Sequence, residues 1–203
     1  MSLKIEVYSD YVCPFCYLAD FPLQAAIQGK EVEIEWMPFE LRPYPTETLR
    51  PEGDYLQYAW RTAVYPIAQQ MGVPIQLPNV SPQPHTHLAF EGFQFAKKHG
   101  KGNAYNHRVL SAFFRESQDI GEIAVLAKLA GNIGLDEKEF AAALTSRQYR
   151  EAHQQALRQA YERVGQTGVP TFVIGNQTLT GLQDRETLEA VIDQELASKE
   201  ETP

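Results

Sequence analysis

Two hydrophobic periods alternate along the chain. In "LKIEVYS", Leu3, Ile5 and Val7 alternate with Lys4, Glu6 and Tyr8, the period of a strand with one buried face. "YLADFPLQAAIQG" then carries helical spacing, with Gly29 as its terminator and Pro22 as an interior kink. "EVEIEWMPFEL" returns to period two, with Val32, Ile34 and Trp36 on one face. Strand, helix and strand in this order predict a right-handed parallel crossover.

A different texture follows. Residues 42–84 are rich in proline and hold a short helical piece around Tyr55 to Met71. From His85 to Val164 apolar residues recur every three or four positions, in "HLAFEGFQFAKKHG", "NAYNHRVLSAFFRES", "EIAVLAKLAGNIG", "DEKEFAAAL" and "REAHQQALRQAYERVG". Asp136 with Glu139 three residues later forms a capping-box pattern. "PTFVIGNQTLTG" then reads as two short strands joined by Gly175-Asn176-Gln177, and "DRETLEAVIDQELA" as a closing amphipathic helix. The order is βαβ, a helical block, then ββα. It divides the chain into 1–41, an inserted helical domain over 42–164 with a proline-rich lead-in, a second part over 165–198, and a polar tail at 199–203.

Composition narrows the function classes. A chain of 203 residues, 43% hydrophobic and 22% charged, is an ordinary globular domain, with or without a large insertion. Its net charge of −8 argues against nucleic acid, whose phosphates demand Lys and Arg. "MSLKIEVYSD" has no apolar signal core, and no run is long enough to span a bilayer, so the expectation is a cytoplasmic protein without a membrane partner.

The chain has two cysteines, both in "YVCPFCYL". In a reducing compartment so close a pair is catalytic or metal-binding rather than a structural bridge. Zinc wants four ligands, and the pair supplies two; His85 and His87 in "PHTHL" can be imagined as the other two, but they read better as helix-start or surface residues. No metal site is expected. If Cys13 caps a helix, Pro14 falls at N1, where it costs nothing. The N–H groups of Phe15 and Cys16 then point back at the Cys13 sulfur, and the helix dipole favours its anion. That arrangement makes Cys13 the attacking thiol and the more shielded Cys16 the resolving one, exchanging a disulfide through a mixed disulfide at Cys13. Phe15 brings no charge to the couple.

In "QTGVPTFVIG", Val169-Pro170 precedes a strand far from the cysteines in sequence. "SDYVCPFCY" at the front, "GVPTFVIG" with "GLQ" at the back, and "AFFRESQDIG" between them resemble the DsbA-like thioredoxin-fold family, in its FrnE-like branch. The resemblance spans nearly the whole chain. It implies an α/β thioredoxin-like fold with a helical domain inserted after the second strand. It also implies a cis Pro170 lying against a redox-active Cys13–Cys16 disulfide, with no bound cofactor. The backbone of Gly168 and Val169 is then free to pair with an extended substrate. Glu6 matches a carboxylate that the family buries beneath the disulfide, and Tyr11, Phe15 and Tyr17 are candidates for an apolar substrate rim.

The function implied is a cytosolic thiol–disulfide oxidoreductase acting on a disulfide-containing protein or peptide, with glutathione as co-substrate. Kappa-class glutathione transferases and chromene-carboxylate isomerases share the layout but typically carry serine where this chain has Cys13, and they have no need of Cys16. A chaperone-like peptide-binding module is the third class. Tyr55, Tyr58, Trp60 and Tyr65 suit it as exposed aromatics, and they suit a homodimer surface equally.

Overall fold

The structure is a computed structural model that describes residues 2–165 and 168–200. β1 (Leu3–Ser9), α1 (Pro14–Ile27) and β2 (Val32–Pro38) form the crossover that the periodicity predicts. β1 pairs parallel with β2 from Leu3 opposite Val32 to Ser9 opposite Pro38. The other edge of β1 receives the C-terminal hairpin, β3 (Thr171–Ile174) and β4 (Gln177–Thr180), with Ile5 opposite Ile174. The strand order is β2-β1-β3-β4. Chain segments more than 160 positions apart thus meet in the middle of one sheet.

Both faces of β1 are covered towards its C-terminal end. Leu3, Ile5 and Val7 join a core with Leu18 and Leu23 of α1 and with Leu188 and Ile192 of α9 (Arg185–Glu200). Tyr8, on the opposite face, is buried against Phe39, Val173, Ala160 and Val164. A parallel pair has helices on both sides, so the single buried face expected from the sequence becomes two. The hairpin turn is also one residue shorter than expected. Gln177 pairs with Ile174, which leaves Gly175-Asn176 as a two-residue loop, with Gly175 at φ 56°.

The block between β2 and β3 contains α2 (Asp54–Ala59), a π-helical turn (Trp60–Val64), α3 (Tyr65–Met71), α4 (His87–Lys98), α5 (Gly102–Glu116), α6 (Ile123–Asn132), α7 (Glu137–Thr145) and α8 (Arg150–Val164). The π turn lies where Pro66 has no N–H to offer the Thr62 carbonyl, so the ladder widens rather than breaks. Asp136 caps α7 as its pattern predicts, accepting the Glu139 N–H at 2.8 Å. Tyr55, Tyr58 and Tyr65 are exposed, whereas Trp60 is buried against Tyr65 and Phe114 and is not available to a partner.

One hydrophobic core runs from the sheet into this block, joining Trp36 and Leu18 to Phe93, Phe113, Phe114 and Phe140. Gly92 of α4 is where the packing is closest. A Cβ there would lie 2.3 Å from the Tyr105 hydroxyl and 2.6 Å from Phe140 Cζ, both fully buried. Gly92→Ala therefore reverses the usual helical gain from alanine. It is expected to lower stability by about 1–3 kcal/mol through overpacking, read as a lower urea midpoint at unchanged slope.

Candidate active site

Each half of the chain delivers one side of the site. β1 ends at Ser9, and Asp10 to Cys13 make a turn closed by the Cys13 N–H on the Asp10 carbonyl at 3.1 Å. α1 begins at once, with Cys13 at its N-cap and Pro14 at N1. From the other half, Gly168 at φ 88° swings the chain into a cis Val169–Pro170 peptide and then into β3. The Thr171 hydroxyl donates to the Gly168 carbonyl at 2.8 Å, and the Gly181 N–H donates to the Pro170 carbonyl at 2.8 Å. These bonds hold the bend. The Cys13 thiol faces the Val169 carbonyl at 3.7 Å.

The helix start differs from the sequence expectation in one respect. No hydrogen bond caps α1 from the Cys13 side chain, and the Cys16 N–H donates instead to the Cys13 backbone carbonyl at 3.1 Å. A protonated thiol is a donor, so its sulfur turns to the acceptor that the Val169 bend supplies. Cys16 lies behind Cys13 and is 2% exposed. Burial pushes its thiol well up from 9.0, and hydrogen bonding and charge from Cys13 push the same way; the Asp10 backbone and Ser9 hydroxyl pull weakly against them.

Of the other residues singled out in the sequence, Pro14, Phe15, Gly168, Val169 and Pro170 gather around the pair, and three do not serve as expected. Glu6 points to the α8 side of the sheet, where it accepts from the Tyr8 hydroxyl at 2.8 Å and pairs with Lys4 at 3.6 Å. The pleat sends residues 6 and 7 to opposite faces, and the face towards α1 belongs to Val7. Tyr11 is 1% exposed, with its ring 4.6 Å from that of Phe90. Tyr17 is 5% exposed, packed on Phe114, with its hydroxyl 3.4 Å from the Pro74 carbonyl. Both tyrosines fasten the site to the helical block rather than rim it. Phe15 is half-buried. His85 and His87 stand at the start of α4, and the His85 ring bonds the Thr46 carbonyl at 2.9 Å.

The family model for a DsbA-like thioredoxin domain matches residues 4–193. The chain belongs to the DsbA-like thioredoxin-domain family. The protein YwbO of Bacillus subtilis (strain 168), itself described as uncharacterized, is 50% identical over 200 residues, covering 98% of this chain and 100% of YwbO. A probable DsbA oxidoreductase of Streptomyces coelicolor superposes with a TM-score of 0.79 at 22% identity, over 99% of this chain and 92% of its own. The cytosolic disulfide reductase DsbM of Pseudomonas aeruginosa, solved with glutathione, gives 0.74 at 21% identity, over 96% and 100%. A 2-hydroxychromene-2-carboxylate isomerase gives 0.78 at 20% identity, over 98% and 99%. At these identities the solved structures establish the shared fold. Among the described residues no helix is long and apolar enough to cross a membrane.

The site also contains charge that sequence reading passed over. Asp10 is 1% exposed and accepts the Leu41 N–H at 2.8 Å. Burial raises its carboxyl from 3.8 to about 7, the Leu41 N–H and Thr86 hydroxyl oppose the rise, and the Glu40 charge adds to it. Glu40 in turn bonds His153 at 2.6 Å inside the protein. The signal was present, since Asp10 and Glu40 each interrupt an apolar run and His153 falls in the buried phase of α8 with Ala160 and Val164.

For Asp10 the folded state holds its proton where the unfolded chain has lost it. Its contribution therefore erodes stability as pH rises from 3.8 towards about 7. Asp10→Asn keeps the acceptor for Leu41 and removes the titration. The variant is expected to gain stability relative to the parent on going from about pH 4 to about pH 8, measured as the difference in urea midpoints.

Proposed function

We propose that the protein is a thiol–disulfide oxidoreductase that cycles Cys13 and Cys16 between dithiol and disulfide. The observation that carries this reading is the placement of Cys13 at the N-terminus of α1, against the Val169–Pro170 bend, with Cys16 buried one turn behind. The positive end of the α1 dipole faces the Cys13 sulfur. As thiolate, Cys13 attacks one sulfur of a substrate disulfide, forming a mixed disulfide and releasing the other sulfur as a thiolate that takes a proton. The Cys16 thiol then loses its proton and attacks the Cys13 sulfur. The S–S bond to substrate breaks, and the second substrate thiol leaves. Two electrons pass to the substrate and a Cys13–Cys16 disulfide forms. Two equivalents of glutathione reverse the cycle, leaving oxidised glutathione; no bound cofactor takes part.

The neighbours of the pair have defined parts in this scheme. Pro14 starts α1 without an N–H to satisfy. Phe15 sets an uncharged surface next to the reacting sulfur, and Pro170 offers the thiolate no competing ligand. The backbone of Gly168 and Val169 is positioned to hold an extended peptide disulfide. Disulfide-containing proteins or peptides and glutathione are the substrate classes, and the cytosol is the working compartment; the fold shared with the cytosolic reductase DsbM supports both.

The fold shared with a 2-hydroxychromene-2-carboxylate isomerase favours a second reading, a glutathione-dependent isomerase. Such an enzyme activates the sulfur of bound glutathione with one group at position 13 and does not use Cys16.

Equilibration against a glutathione redox series, with thiol alkylation and mass measurement, separates the two. Redox cycling predicts a reversible two-electron transition that disappears in Cys13→Ser, and a mixed disulfide with glutathione that accumulates in Cys16→Ser. A pair that stays as two thiols across the series overturns the redox reading. Glutathione-dependent isomerisation that survives Cys16→Ser would then establish the second.

A further inference from the structure

A cavity of about 440 Å³ lies between the chain leaving β2, the start of α4 and the N-terminal half of α8. That volume is in the range of small-molecule sites. Two acid–base pairs line it, and both carboxylates are buried. Glu40, 5% exposed, meets His153, 2% exposed, with Oε1 and Nε2 2.6 Å apart. Glu91, 1% exposed, accepts from Arg147 through Nη2 at 2.6 Å and through Nε at 3.0 Å. Carboxylates are costly to bury, and Glu40 and Glu91 are both buried where they line this cavity. Their grouping there marks a candidate binding site.

Three features say what the cavity recognises. Arg150 is the first residue of α8 and is exposed at the rim, and it makes no ion pair among the described residues. His153, one helical turn further on and on the same face, commits Nε2 to a carboxylate. A carboxylate only accepts, so Nε2 donates, and the other ring nitrogen, Nδ1, is left over. That atom is buried and has no partner among the described residues. Pro43, Tyr44 and Leu157 complete the lining with an apolar flank.

We propose that this cavity binds a carboxylate with a neighbouring amide and an apolar side chain, the chemistry shared by N-acylated amino acids and by the C-terminal residue of a peptide. Arg150 receives the carboxylate, His153 Nδ1 bonds the amide, and Tyr44 with Leu157 covers the side chain. The site is distinct from the cysteine pair and does not rest on the redox reading. It adjoins that pair through two walls. Leu41, next to Glu40, is tied to Asp10, and the Phe90 ring stacks between His153 at 5.4 Å and Tyr11 at 4.6 Å.

The test is a titration of the full-length protein followed by the imidazole NMR resonances of His153 and His87. The probes are N-acetyl-L-phenylalanine, its neutral C-terminal amide and the tripeptide Gly-Gly-L-phenylalanine, none of which carries a thiol. Saturable shifts are expected with N-acetyl-L-phenylalanine, with affinity about tenfold weaker for the amide and for Arg150→Ala. Arg150→Lys, which keeps the charge at an exposed position, is expected to retain most of the affinity. Saturable binding of Gly-Gly-L-phenylalanine would assign the site to peptide C-termini. Its failure beside a binding N-acetyl-L-phenylalanine would assign the site to free acylamino acids. The proposal is overturned if no probe gives a saturable shift, if the amide binds as well as the acid, or if Arg150→Ala leaves the affinity unchanged.

Discussion

The contact on which the site depends is that of the Cys13 sulfur with the Val169 carbonyl, 3.7 Å apart across 156 positions of sequence. It exists because β3 pairs with β1 rather than with β2, so the bend before β3 lies beside the loop after β1. The inserted helices do not interrupt that pairing. They must leave the sheet after β2 and return to it before β3, and α8 does the returning by covering the Tyr8 face of the sheet. An insertion of this kind is tolerated because loop closure grows slowly with the length closed, while the strand pairing it permits is gained in full.

The helical block is more than a spacer. Its aromatics extend the core of the sheet, and the two tyrosines flanking the cysteines are anchored in it, Tyr11 on Phe90 and Tyr17 on Phe114. Movement of α4 or α5 is thereby felt on both sides of Cys13. The same block supplies the partners of the buried charges next to the active-site turn, Thr86 and the Glu40–His153 pair. Rigid support and polar tuning of the site come from the same elements.

Much of the fold was legible in the sequence because its signals are local. The helix starts are marked by residues that act within one turn, Pro14 at N1 and Asp136 on the Glu139 N–H. The strands show period two and the long helices show period 3.6, so their limits agree with the structure to within a few residues. Departures arose where a residue's fate depends on elements far away in sequence. Tyr8 reads as the outward face of a strand until α8 covers it, and Trp60 reads as one of four exposed aromatics until Phe114 meets it. Glu6 depends on pleat direction, which a motif match by itself does not reveal.

The sequence by itself determined the family, the order of the elements, and the two motifs that meet. Those follow from short-range patterns of burial and turn chemistry. Only the tertiary structure decided which polar groups are buried together, since Asp10, Glu40, Glu91 and His153 come from four separate segments. A local window can mark such a residue as facing inward, but it does not say which other one it meets. Desolvation and pairing act through space, and a chain of local patterns carries no record of which distant segment will exclude the water.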